Sequence, residues 1–289
     1  MSASAQSTTT YAMGRTEAET RRLMLQATIY DPLMRRFLIE AGLTSGMKVL
    51  DLGSGAGDVA FVAADIVGSS GSVVGIDVNP DVLEVARQRA ADGGRANVSF
   101  VVGDCRTASL PDDFDAVIGR YVLMYTGDPA ATLASVVKHV RPGGLVAFAE
   151  ADFGTAVDFS KRGPSALSTR LWEWAEAAFQ HADNYPGMAI ELYRAFLASG
   201  LNTPEMLLLA PLSGAHHGVA FEWSTESIRS LVPLLEKFGI ATADEVDIDT
   251  LKDRVRSDCQ EHNSLLMLLP MVTAWAKKPA SKITIIEAD

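Results

Sequence analysis

VLDLGSGAGDVA, residues 49 to 60, decides the fold. An apolar run meets three glycines on alternate positions, Gly53, Gly55 and Gly57, with Asp51 before them and Asp58 after. A buried strand that breaks into glycines and resumes as a helix is a tight strand–turn–helix joint, and glycine lets its backbone come close to a ligand. The dinucleotide spacing G-x-G-x-x-G puts a third glycine where this chain has Asp58. A pyrophosphate needs bare amides at the helix start, and a carboxylate in that first turn competes with it. A cationic ligand without phosphate fits the two acids better.

Working outward, short apolar runs alternate with helical stretches. MKVLDL (47–52), SVVGID (72–77), NVSFVVGD (97–104), FDAVIGR (114–120) and LVAFAEADF (145–153) read as strands. GDVAFVAADIV (57–67), PDVLEVARQRAA (80–91) and PAATLASVVKHV (129–140) read as the helices between them. Strands apolar on both faces, with helices between, predict a parallel sheet covered on both sides. Further on, helices are expected over 164–181, 187–199, 225–238 and 248–266, a sixth strand at EMLLLAPL (205–212) and a last one at PMVTAWA (270–276). Ahead of the turn, 15–41 is helical, with Leu23, Ala27 and Tyr30, then Leu33, Phe37 and Leu38, at helical spacing. Asp31-Pro32 is expected to break this run into two helices. The organisation expected is a flexible arm (1–14), an N-terminal helical lid (15–42), a cofactor-binding core (43–153), a cap or substrate region with strand six (154–240), and a C-terminal helix and last strand completing the sheet (241–289).

Bulk properties narrow the function. A net charge of −11 over 289 residues repels phosphate backbones, which argues against a nucleic-acid partner. Cys105 and Cys259 form no CxxC pair, so a disulfide framework and a cysteine zinc site are both disfavoured and a reducing, cytoplasmic setting is expected. MSASAQSTTT lacks the basic start and apolar stretch of a secretory signal. LLMLLPMV (265–272) is too short to span a bilayer, so no membrane partner is expected. No histidine pair has a metal-ligand spacing such as HExxH, and no metal is expected. A homo-oligomer stays open.

Ligands of open α/β sheets sit at the C-terminal ends of the strands, where strand order reverses. There the second strand ends in Asp77, twenty residues after Gly57 and able to accept from a ribose diol, with Val78 beside it. The third ends in Gly103-Asp104-Cys105, an acid for an adenine amino group beside a small residue that leaves room for the ring. The fourth ends at Arg120 and is followed by YVLMY (121–125), apolar wall for adenine and methionine portions. S-adenosylmethionine carries a sulfonium, an ammonium and one carboxylate and no phosphate, and it fits these acids.

VLDLGSGAGD, GIDVN, VVGDC, FDAVIGRYVLMY and RPGGLVAFAE, in this order over residues 43–152, resemble the class I S-adenosylmethionine-dependent methyltransferases. YAMGRTEAETRRLMLQ resembles a small-molecule subgroup, found in bacterial biosynthetic clusters, with a helical lid ahead of the core. Ser54 departs mildly, where many relatives have cysteine. The resemblance implies a Rossmann-like α/β fold with a seven-stranded sheet, order 3-2-1-4-5-7-6, the last strand antiparallel, helices on both faces and a helical cap. It implies cofactor contacts from Asp51, Gly53, Ser54, Gly55, Gly57, Asp77, Val78, Gly103, Asp104, Cys105, Arg120 and Tyr121. It also puts Tyr11 over the transferred methyl and Gln26 near the methionine carboxylate. Glu150, His181 and Tyr11 are the candidate catalytic residues, and Trp172, Tyr185, His216 and Tyr125 the candidate substrate pocket. The expected reaction moves a methyl from S-adenosylmethionine to a C, N or O atom of a small apolar or aromatic metabolite, leaving S-adenosylhomocysteine. A catalytically silent binding or regulatory module and an NAD-dependent dehydrogenase are the alternatives.

Overall fold

The computed structural model describes residues 17–215 and 218–280. Seven strands form one sheet: β1 (Lys48–Leu52), β2 (Ser72–Asp77), β3 (Val98–Val102), β4 (Phe114–Arg120), β5 (Val140–Ala151), β6 (Glu205–Leu209) and β9 (Met271–Lys277). Their order is β3-β2-β1-β4-β5-β9-β6. Counted within the sheet this is 3-2-1-4-5-7-6, and β9 runs antiparallel to both neighbours, β5 and β6, as expected. β1 pairs in parallel with β2 on one side and β4 on the other, so strand order reverses at its C-terminal end, Asp51-Leu52. The apolar content of β1, β4 and β5 follows from their central places: almost every residue is buried. A second, two-stranded sheet pairs β7 (Leu212–Gly214) with β8 (Leu265–Met267).

Helices α1 (Glu17–Glu40), α2 (Asp58–Val67), α3 (Pro80–Asp92), α4 (Pro129–Val137) and α7 (Ala189–Ala198) accompany the sheet. A 3-10 turn at Leu123–Tyr125 follows β4. The remaining helices are α5 (Phe153–Ser160), α6 (Ala166–His181), α8 (Gly218–Lys237), α9 (Ala243–Val246) and α10 (Ile248–Glu261).

Three sequence readings are corrected. The expected break at Asp31-Pro32 does not occur: α1 runs through Pro32. An interior proline costs about 3 kcal/mol. Tyr30, Met34, Phe37 and Leu38 are buried on both sides of it, at about 1.5–3 kcal/mol for a large side chain, and outweigh that cost. The inner face of the first half is also one residue round from the expected one, since Arg22, Gln26 and Tyr30 are buried while Leu23 and Ala27 are only half-buried. Finally, strand six stops at Leu209, because Pro211 has no amide to continue the ladder, and the long last helix ends at Glu261, giving way to β8.

Candidate active site

The turn after β1 holds three left-handed glycines: φ is +59° at Gly53, +52° at Gly55 and +92° at Gly57. Two of them are needed for packing. A Cβ on Gly53 would lie 2.5 Å from Val122 Cγ2, and one on Gly57 would lie 2.7 Å from Phe61 Cζ. Gly55 differs, because its Cβ would meet nothing closer than Gly53 O at 3.9 Å. Open space therefore adjoins the crest of the turn. The Ser54 amide donates to Ile76 O at 3.1 Å, and the Gly55 amide to Asp77 Oδ2 at 3.0 Å, which ties the turn to the end of β2. Asp77 Oδ1 accepts from the Asn79 amide at 2.9 Å. Val78 beside it is exposed, and Gly103, at the end of β3, leaves a Cβ only ordinary contacts.

Asp51 lies under this turn, 0 % exposed, and neither carboxylate oxygen completes a hydrogen bond. Burial holds its carboxyl well above the usual range; Arg120 opposes the shift, while Asp77 and Asp58 add to it. An unpartnered buried carboxylate is costly and marks a place for a cationic or donating ligand. Asp58 opens α2 and is buried; Arg89 Nη2 stands 2.8 Å from its Oδ1 and Arg120 Nη2 3.9 Å from its Oδ2. The Arg120 side chain is buried and its Nη1 donates to Asp31 Oδ1 at 2.8 Å. Burial works against the Arg120 charge, but Asp31 and Asp58 prevail and raise its pKa. The side chain expected to face the cofactor is thus an internal ion-pair centre. Asp104 is held by Arg106, whose Nε and Nη2 donate to it at 3.0 and 2.6 Å; those bonds lower the Asp104 carboxyl. Burial pushes the neighbouring Cys105 thiol up to about 11, so it is no nucleophile at neutral pH.

Glu150, at the end of β5, is fully buried. Its Oε1 accepts from the Val122 and Leu123 amides at 3.2 and 2.9 Å, and its Oε2 from the Met124 amide at 3.4 Å. It caps the 3-10 turn after β4, where Tyr121 takes a left-handed φ of +53°. Burial pushes its carboxyl up to about 7, against these three amides. The structure gives Glu150 a positioning task in place of the expected contact with an acceptor: it sets Val122, which fills the space above Gly53.

Gln26 is buried on α1, and its Oε1 accepts from Arg22 Nη1 at 2.9 Å. Tyr30, one turn on, meets the Tyr121 ring at 5.9 Å and the Trp223 ring at 5.2 Å. Aromatic contacts continue from Trp223 to Trp172 and Phe153, then Phe179 and Tyr125. Trp172 is itself core, 1 % exposed, with Nε1 donating to Met267 O at 3.0 Å. Tyr185 packs on the turn after β4, its amide donating to Met124 O and its hydroxyl to Gly127 O. His181 ends α6, with Nδ1 2.8 Å from Ala177 O and its ring on Phe238. Tyr11 and His216 lie outside the described residues. The sequence reading missed Asp31, Arg89, Arg106 and Val122. Arg106 had a legible signal, two residues from Asp104; the other three act through contacts between distant parts of the chain. Among the described residues, no group of three or more His, Cys, Asp or Glu could hold a metal, and no helix is long and apolar enough to cross a membrane.

A family model described as a methyltransferase domain matches residues 43–190. Aklanonic acid methyltransferase DauC of Streptomyces sp. (strain C5) is 32% identical over 61% of this chain and 84% of its own length. A ubiquinone/menaquinone biosynthesis C-methyltransferase UbiE, from Cellvibrio japonicus (strain Ueda107), is 38% identical over 39% of this chain and 46% of its own. This chain therefore spans about half the length of that relative. Among solved structures, a SAM dependent methyltransferase from Aquifex aeolicus superposes with a TM-score of 0.52 at 19% identity, covering 67% of this chain and 93% of that one, a likeness of fold. A glycine turn at the switch point of a 3-2-1-4-5-7-6 sheet, with the family match over its whole length, leads to one conclusion: the chain belongs to the class I S-adenosylmethionine-dependent methyltransferases.

Proposed function

We propose that this chain binds S-adenosylmethionine at the glycine turn and transfers its methyl to a C, N or O atom of a small apolar or aromatic metabolite. One observation carries the reading: Asp51, fully buried and without a hydrogen-bond partner, lies under a turn whose crest, Gly55, borders open space. The residues fit the cofactor. Gly53, Ser54 and Gly55 offer backbone at close approach, Asp77 keeps lone pairs for a ribose diol, and Asp104 with Cys105 borders the adenine end. Gln26 and Tyr121 face the methionine end, and Tyr11 is assigned to the methyl. When bound, the cofactor supplies an activated methyl on a sulfonium.

The protein's own task is then placement. Holding an acceptor in line with the methyl and sulfur is worth roughly 7–11 kcal/mol. The turn after β4, fixed by Glu150, and the buried face of α1 supply the rigid walls. An acceptor that must lose a proton needs a base; Glu150 is engaged by backbone amides, which leaves Tyr11 and His181 as candidates. The ring contacts from Tyr121 through Tyr30 and Trp223 to Tyr125 favour an apolar or aromatic acceptor, with Tyr185 and His216 at its rim. The names of the relatives, an aklanonic acid methyltransferase and a quinone-pathway C-methyltransferase, point the same way. Two free cysteines suit a reducing cytoplasm.

Calorimetric titration with S-adenosylhomocysteine and, separately, with NADH tests the cofactor. Binding of the first and not the second is expected; the reverse would install a dehydrogenase. Labelled methyl transfer to a panel of phenolic, quinol and carboxylic acceptors tests turnover, and binding with none turned over would favour a silent module.

A further inference from the structure

The charged groups around the glycine turn form a chain that reaches from α1 to α3. Asp31 on α1 accepts from Arg120 at the end of β4, 2.8 Å apart. Arg120 Nη2 faces Asp58 at the start of α2 at 3.9 Å. Asp58 Oδ1 pairs with Arg89 Nη2 of α3 at 2.8 Å. Arg89 Nη1 then donates 2.6 Å to Ala56 O, inside the glycine turn itself. Asp31 and Arg89 have no contact given with each other, yet both Asp58 and Arg89 bear on the Asp31 carboxyl.

Two links are deeply buried: the Arg120 side chain is 3 % exposed and that of Asp58 8 %. A buried ion pair is weak support for stability, because desolvation offsets its attraction, but it fixes geometry, since moving one member strands the other. The same α1 face carries Arg22, Gln26 and Tyr30 inward toward the site. Turning or sliding α1 would displace that face and pull Asp31 from Arg120 together.

We propose that Asp31, Arg120, Asp58 and Arg89 act as one positioning relay that sets α1 and the glycine turn in register, so that cofactor affinity depends on Asp31 although it lies at the far end of the relay from the turn. The inference rests on the cofactor reading above. Asp31 and Arg89 are positioning residues; neither is assigned to the reacting atoms.

A double-mutant cycle on the full chain tests it, with S-adenosylhomocysteine affinity read by calorimetry and the thermal midpoint recorded beside it. Asp31→Asn and Arg89→Ala are each expected to weaken binding about 10-fold, a typical coupling energy for members of one ion-pair network. The double variant should lose about 10- to 30-fold, well short of the roughly 100-fold of independent sites. Asp31→Glu, which keeps the charge, should recover most of the loss and serves as the single variant if Asp31→Asn does not fold. Additive losses, or parent affinity in Asp31→Asn, would overturn the relay. A parent that fails to bind S-adenosylhomocysteine would instead sink the cofactor reading, so the two failures are distinguishable.

Discussion

Asp77 does two jobs with one carboxylate: it holds the Gly55 amide and keeps lone pairs toward the space above the turn. Asp77→Ala should weaken S-adenosylhomocysteine binding about 10- to 100-fold by calorimetry, since hydrogen bonds to a charged group are worth about 1.5–3 kcal/mol. Gly53 has a different reason to be glycine. It is left-handed and Val122 occupies the place of its missing Cβ. Gly53→Ala should therefore cost about 2–4 kcal/mol of stability in urea unfolding, from left-handed backbone strain plus overpacking. Unchanged stability in that variant would mean that Val122 yields. Residues such as Asp77 were legible because a carboxylate closing an apolar strand has few structural uses. Glu150 was not, since the sequence shows a buried acid but not the three amides that hold it.

At the scale of elements, the 3-10 turn after β4 stands on Glu150, and this makes its support depend on pH. The Glu150 carboxyl is pushed up to about 7 by burial, against an ordinary value of 4.5. Between those values the folded state holds a proton that the unfolded chain has released. Stability from this group therefore falls as pH rises from about 4.5 to about 7 and levels off above, by about 3 kcal/mol at about 1.4 kcal/mol per pH unit. Chemical unfolding of the parent and of Glu150→Gln at pH 5 and pH 8 should show that difference in the parent and lose it in the variant. Equal pH slopes would remove Glu150 as the titrating group. The central strands and their helices were readable because both sheet faces are covered, so each strand is apolar throughout. The three-residue strands β7 and β8 were not, being too short to set up a period. Helix α5 was lost inside the expected insertion, although Asp152 caps it by accepting from the Thr155 amide. Pro32 misled for a physical reason: local chemistry favours a break there, and tertiary burial of Tyr30 and Met34 overrules it.

At the scale of the whole molecule, the acidic balance agrees with a cationic ligand at a site rich in carboxylates. Asp31, Asp51, Asp58 and Asp77 gather near the turn, while Arg89 and Arg120 offset them only in part. The fold was legible down to strand order because five short motifs lie in register along the chain. The acceptor region was less so, because aromatics at helical spacing serve as core or as wall alike, and Trp172 proved to be core.

The position of β9 has a consequence for how the polypeptide comes into being. The final strand in the sequence is inserted between β5 and β6 rather than added at a margin. During synthesis, β5 waits with an open hydrogen-bonding edge until residues 271–277 leave the ribosome tunnel, and β6 has no neighbour at all. Closure is thus a post-translational event, and the nascent chain carries an adhesive ribbon of Val146, Phe148 and Leu207 in the meantime. A version stopped after residue 264 should collect in the insoluble fraction, and supplying 265–289 as a separate peptide during refolding should return part of it to solution.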